Sequence, residues 1–173
     1  MKNNYVYIIN STSGVGKSTL LKNLHTQLPD SFAIIDGDDV GRVVPYNNNI
    51  NWLNLIQDNI SDCCSNYKKY GYNNCIVSFV LPVKERLERL SNMLKRNDFC
   101  TKHIILECSE DEIERRLKER NTSKILNIEQ AKNISREIKN LSADFRVDNP
   151  NIMPDEIAEL ILNYIMEINN EID

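Results

Sequence analysis

Residues 5–19 read Tyr-Val-Tyr-Ile-Ile-Asn-Ser-Thr-Ser-Gly-Val-Gly-Lys-Ser-Thr. Tyr5 to Ile9 is a run of β-formers short enough for a buried strand. The loop that follows matches G-x-x-x-x-G-K-[ST] at every position but the first, where Ser11 stands for glycine. Gly14 and Gly16 allow the tight turn that aims successive backbone N–H groups inward at a phosphate. A helix opening at Lys17 adds the positive end of its dipole. Ser13, Gly14, Val15, Gly16, Lys17, Ser18 and Thr19 are therefore the expected triphosphate-binding residues. Lys17 reaches the β- and γ-phosphates, and the Ser18 hydroxyl is the expected Mg²⁺ ligand. No phosphate-cradling amide depends on a glycine at position 11.

Outward from this loop, apolar runs alternate with amphipathic stretches. Helical spacing is expected over Lys17 to Leu28, strand over Phe32 to Ile35, and helix again where Trp52, Ile56, Ile60, Cys63, Tyr67 and Tyr70 recur. Cys75 to Leu81 reads as a strand, and Pro82 as the opening of a helix with Val83, Leu87, Leu90 and Leu94 on its apolar face. His103 to Leu106 is the fourth strand. Ser109-Glu110-Asp111-Glu112 is a capping box heading a helix to about Arg120. Asn127 to Leu141 is helical, Asp144 to Val147 is a fifth short strand, and Pro154 starts a last helix with Ile157, Leu160, Ile161, Tyr164, Ile165 and Ile168 as its buried stripe. This rhythm predicts an α/β three-layer sandwich, a five-stranded parallel sheet with helices on both faces. Ligands in such sheets bind beyond the carboxyl ends of the strands, so the loops after Ile9 and Ile35 matter most.

The 173 residues carry 41% hydrophobic and 27% charged side chains, enough for one domain (residues 1–173) with its own core. No apolar run approaches the ~18 residues of a membrane span. The N-terminus reads as a strand, not a signal peptide. A net charge of −4 and a pI near 5.3 argue against a chain that coats nucleic acid or an anionic membrane. The five cysteines form no C-x-x-C, and His25 and His103 are far apart. Neither a zinc site nor a disulfide framework is expected, and reduced thiols point to the cytoplasm.

Asp36-Gly37-Asp38-Asp39 follows the second strand. Phosphoryl transfer needs an in-line acceptor, neutralised phosphoryl oxygens and a carboxylate to orient or deprotonate the acceptor hydroxyl. Asp38 is the candidate for that carboxylate, Asp39 its fallback, and Asp36 the candidate to hold Mg²⁺ through water. Arg116 and Arg120, four apart, share a helix face and can clamp phosphates. Residues 121–128 would form a small lid, with Lys124 as a further cation. Arg42 and Arg86 are candidates for the acceptor. Trp52 and Tyr67 read as core residues, and the two histidines as having no catalytic role.

These residues resemble the P-loop kinases of small metabolites, a group that includes gluconate kinase, shikimate kinase and adenylyl-sulfate kinase. Asp36-Gly37-Asp38 looks like that group's D-G-D or D-S-D signature. Cys75 to Arg86 looks like its third strand and substrate-side arginine, and Glu114 to Arg120 like the arginine-bearing start of its lid. Asp144 to Ile161 is similar to its last strand and helix, with the loop that flanks adenine. The resemblance implies the P-loop nucleoside-triphosphate kinase fold. It implies an ATP-dependent enzyme that phosphorylates a hydroxyl of a sugar acid, nucleoside, nucleotide or antibiotic-like acceptor, with Mg²⁺. Two departures leave the acceptor open. The segment after Asp39 lacks a gluconate-kinase pattern, and Ser78-Phe79-Val80-Leu81-Pro82 stands where shikimate kinases carry a glycine-rich turn.

A polynucleotide 5′-hydroxyl kinase could use Asp38 and Arg42 equally well, but a single strand wants a basic channel with stacking aromatics, and no such cluster is present. A regulatory nucleotide switch of the GTPase type needs a D-x-x-G element and an N-K-x-D guanine reader, and the reading here expects neither. Monomer and homodimer both stay open.

Overall fold

A computed structural model describes residues 4–44, 49–119, 127–148 and 153–170. Five strands run in order through the chain: β1 Tyr5–Asn10, β2 Phe32–Asp36, β3 Asn74–Phe79, β4 Cys100–Glu107 and β5 Phe145–Asp148. Six helices connect and follow them: α1 Lys17–Gln27, α2 Ile50–Lys69, α3 Lys84–Arg96, α4 Glu110–Glu119, α5 Ile128–Lys139 and α6 Pro154–Asn170. The sheet is parallel throughout, in the order β2-β3-β1-β4-β5.

All six residues of β1 are buried, as expected of a central strand covered on both faces. Its side chains alternate between two cores. Tyr5, Tyr7 and Ile9 join Leu20 and Leu24 of α1 and Ile161 and Ile165 of α6. Val6 and Ile8 join Ile56 and Ile60 of α2 and Leu90 and Leu94 of α3. Each fully buried Ile or Leu contributes about 1.5–3 kcal/mol, so this strand is anchored from both sides. The chain crosses from one side of β1 to the other between β3 and β4, which opens a crevice at their carboxyl ends.

Strand β5 lies one residue later than expected, α5 ends at Lys139, and Leu160 and Tyr67, expected to be buried, are exposed. The larger departures in element boundaries are at β3–α3 and at β4. Strand β3 ends at Phe79, not Leu81, and α3 begins at Lys84 after Val83, not at Pro82. Asn10 is the reason: its side-chain amide donates to the Leu81 carbonyl at 2.8 Å and accepts from the Leu81 N–H at 2.9 Å. The backbone after Phe79 is thus committed to the end of β1 and leaves the ladder. Strand β4 starts three residues before His103, since Cys100 pairs with Tyr5 and donates to the Asn4 carbonyl. The polar triplet Cys100-Thr101-Lys102 hides this extension in the sequence.

His103 is a structural residue. Its Nδ1 lies 2.7 Å from the Ser142 carbonyl and its Nε2 lies 3.2 Å from the Asn10 amide nitrogen. Burial holds its pKa below the usual imidazole range. The neutral ring, donating from Nδ1 and accepting at Nε2, satisfies both neighbours.

Candidate active site

The loop between β1 and α1 takes the shape its glycines require. Gly14 and Gly16 have φ of 89° and 113°, in the region that disfavours any residue with a Cβ. Gly16 caps α1 in the left-handed conformation, so Lys17 begins the helix. The Lys17 ammonium folds back over the loop, donating to the carbonyls of Ser11 and Thr12 at 2.9 and 3.0 Å. Ser13 is half-buried, Val15 buried, and Ser18 and Thr19 exposed at the first turn of α1.

Helix α4 closes over this loop. A Cβ on Gly14 would sit 3.1 Å from Leu117 Cγ. Arg116 Nη1 donates to the Val15 carbonyl at 2.8 Å, and its Nε is paired with Glu112. Arg115 and Arg116 together hold the Glu112 carboxylate at a pKa of about 2, well below the usual range. The capping serine contributes as expected, Ser109 Oγ accepting from the Glu112 N–H at 3.2 Å. Arg120 and residues 121–126 of the expected lid, Lys124 included, lie outside the described residues; Asn127 and Ile128 are the cap and first residue of α5.

The second loop is built around Asp36. Its carboxylate accepts from the Asp38 N–H at 3.1 Å, and its carbonyl accepts from the Asp39 N–H at 3.0 Å. Burial raises its pKa, and the charges of Asp38 and Asp39 add to that; the Asp38 N–H and the nearby Lys17 act the other way. Gly37 donates to the Ser78 carbonyl at 2.8 Å. Asp36 lies opposite Ser78 in the β2–β3 register, and Ser78 lies opposite Ile9. Ser78 Oγ is buried there with no hydrogen-bond partner. A carboxylate, an orphan hydroxyl and the exposed Ser18 around the phosphate loop suit a hydrated Mg²⁺ shared with a nucleotide, which needs only one or two protein ligands. Among the described residues no cluster of three or more His, Cys, Asp or Glu could hold a metal by itself.

Two cavities flank the phosphate loop. One, of 340 Å³, is lined by Gly14 to Gly16, Thr19, Arg116 and Glu119, and by Pro154 and Ile157 at the start of α6. It lies where the resemblance puts the nucleotide. The other, of 350 Å³, is lined by Thr12, Ser13 and Asp38 and by apolar residues of α2, β3 and α5. Asp38 is exposed at its edge. Trp52, expected in the core, is half-buried and lines this cavity, its Nε1 donating to the Gly41 carbonyl at 2.7 Å. Phe79 lines it too. The sequence signal for Trp52 was present but weak: an aromatic in the first turn of the helix that follows the aspartates.

The two acceptor arginines do not line either cavity. Arg42, with 80% of its side chain exposed, pairs with Asp39 at 2.5 Å. Arg86 donates to Asn54 Oδ1 at 2.9 Å and its carbonyl accepts from Gln57, which braces α3 against α2. Asp38 to Gly41 does spell a D-x-x-G, but Gly41 is packed against Ile56 and no guanine reader accompanies it.

The sheet order, the phosphate loop and the aspartate loop beside it define a P-loop domain with a kinase-like fold. A family model described as an AAA domain matches residues 8–141, and the chain belongs to that family. No curated protein sequence matches it significantly. Among solved structures it is similar to the tunicamycin resistance protein of Deinococcus radiodurans, at TM-score 0.71 and 18% identity over 94% of this chain and 96% of that one. It is similar to a gluconokinase from Sinorhizobium meliloti, at TM-score 0.69 and 14% identity over 99% and 97%. The APS kinase of Mycobacterium tuberculosis, solved with AMPPNP and APS, gives TM-score 0.68 and 15% identity over 95% and 98%. No helix among the described residues is long and apolar enough to cross a membrane.

Proposed function

We propose that the protein is an ATP-dependent phosphotransferase that moves the γ-phosphoryl group of ATP to a hydroxyl of a small molecule. The observation that carries this reading is the placement of Asp38 in a second cavity, across the phosphate loop from the one that suits a nucleotide. A nucleotide hydrolase or switch has no use for a shaped cavity with a carboxylate on the acceptor side.

In this reading the loop amides of residues 13–18 and Lys17 cradle the β- and γ-phosphates. Ser18 and Asp36 would hold Mg²⁺, which neutralises charge on the phosphate oxygens. Arg116, fixed by Glu112 and the Val15 carbonyl, offsets charge that grows in the transition state. Asp38 orients the acceptor hydroxyl and takes its proton as the oxygen attacks phosphorus; the bond from the γ-phosphorus to the bridging oxygen breaks, and ADP leaves. Arg120 would add a second cation beside Arg116.

The test is acceptor-dependent ADP release across sugar acids, nucleosides, nucleotides, phenicols and aminocyclitols. Asp38→Asn is expected to lower kcat with the best acceptor by about 10²–10⁴-fold while ATP still binds. Lys17→Ala is expected to abolish ATP binding in calorimetry. Full turnover in Asp38→Asn would overturn the role given to that carboxylate.

A further inference from the structure

We infer that the acceptor is an uncharged alcohol carried on a flat aromatic or heterocyclic body. This rests on the phosphotransferase reading above and names the substrate class of the same site. Trp52 and Phe79 form aromatic walls of the acceptor cavity, with Leu53, Val80, Pro82 and Ile134 completing its apolar lining. Asp38 is the one ionisable side chain among its described lining residues. The two arginines expected to bind the acceptor are engaged elsewhere, Arg42 with Asp39 and Arg86 with Asn54.

That charge distribution selects against anions. A carboxylate, sulfate or phosphate on the acceptor would enter a cavity whose only charged side chain, among the described lining residues, is negative. It would lose hydration without gaining a cation. A neutral ring gains instead, by burying apolar area against Trp52 and Phe79. The Trp52 ring is held in place by its bond to the Gly41 carbonyl, so little side-chain freedom is lost when a ring stacks on it. Ser13 and Gln130 offer a hydroxyl and an amide for neutral polar groups. The volume of 350 Å³ sits at the small end of ligand pockets, which run from about 300 to 1,000 Å³.

Trp52 is the single tryptophan of the chain, so its fluorescence reports occupancy without turnover. Two matched comparisons suffice: thymidine against thymidine 3′-monophosphate, which keep the same 5′-hydroxyl, and chloramphenicol against gluconate. The neutral member of at least one comparison is expected to quench Trp52 saturably, at a Kd at least tenfold below that of its anionic counterpart. Asp38→Asn is expected to narrow that ratio, and Phe79→Leu to weaken the neutral probe several-fold. Tighter binding of the anionic members, or quenching by neither neutral probe, would overturn the inference. Quenching with the expected preference but with ADP release that ignores Asp38 and Lys17 would leave the cavity's preference for neutral rings standing and sink the phosphotransferase reading, and with it the ligand's role as acceptor.

Discussion

Gly37 shows how a single residue holds the aspartate loop in place. A Cβ there would lie 2.4 Å from Phe79 Cδ2 and 2.8 Å from its Cγ, and the Gly37 N–H is tied to the Ser78 carbonyl. The backbone therefore has no room to withdraw. Gly37→Ala is expected to cost about 1–3 kcal/mol in chemical denaturation. It should also lower turnover beyond what lost stability explains, because Asp36 and Asp38 must shift with it. Gly14 and Gly16 were legible in the sequence, since the spacing of the phosphate loop demands them. Gly37 was legible only as a turn residue. Its contact with Phe79 joins positions 42 apart in the chain, and no local pattern encodes such a pairing.

Helix α4 is the element that turns a loop into a site. Ile113 and Leu117 bury themselves beside Gly14, and the turn between them carries Arg116 to the Val15 carbonyl. The sequence announced the helix through Ser109 and Glu112 and put Arg116 on a plausible face. The same spacing also allowed the arginines of this helix to pair with Glu112 and Glu119, and the Glu112 carboxylate is indeed held by Arg115 and Arg116. Glu112→Gln is expected to lower kcat about tenfold through a misoriented Arg116, with the melting temperature little changed. Steady-state kinetics beside a thermal scan would check this. The Glu112 carboxylate keeps its charge until pH falls toward about 2. The pairing is complete above the ordinary glutamate pKa near 4.5, so a loss of activity at pH 5–6 would have another source. Arg42 and Arg86 taught the opposite lesson. Their positions beside the right strands were correct, but near neighbours, Asp39 and Asn54, claimed their guanidinium groups.

At the scale of the molecule, the parallel sheet and its two cores followed from the alternation of strand and helix. The sheet brings Asp36 to the carboxyl end of β2 beside Asp38, with Lys17 nearby, and the burial of the Asp36 carboxylate there opposes folding. Burial raises the Asp36 pKa, so the native state binds that proton more tightly than the unfolded chain does. Stability then falls as pH rises from the ordinary aspartate value through the folded one, and the penalty persists above it. Asp36→Asn is accordingly expected to raise the melting temperature at pH 7–8, with the gain shrinking toward pH 4. It should also lower kcat about 10–100-fold. A variant less stable at neutral pH would contradict this.

The phosphate loop is also a partition: Thr12 and Ser13 border one chamber, Gly14 to Gly16 the other, and the two chambers have no described wall residue in common. In the phosphotransferase reading each reactant would have its own chamber, and neither would stand in the other's path. Donor and alcohol should therefore dock in either order and react only when both are aboard. Double-reciprocal plots at several fixed donor concentrations should intersect, since parallel lines would mean that the phosphoryl group rests on the protein between the two visits.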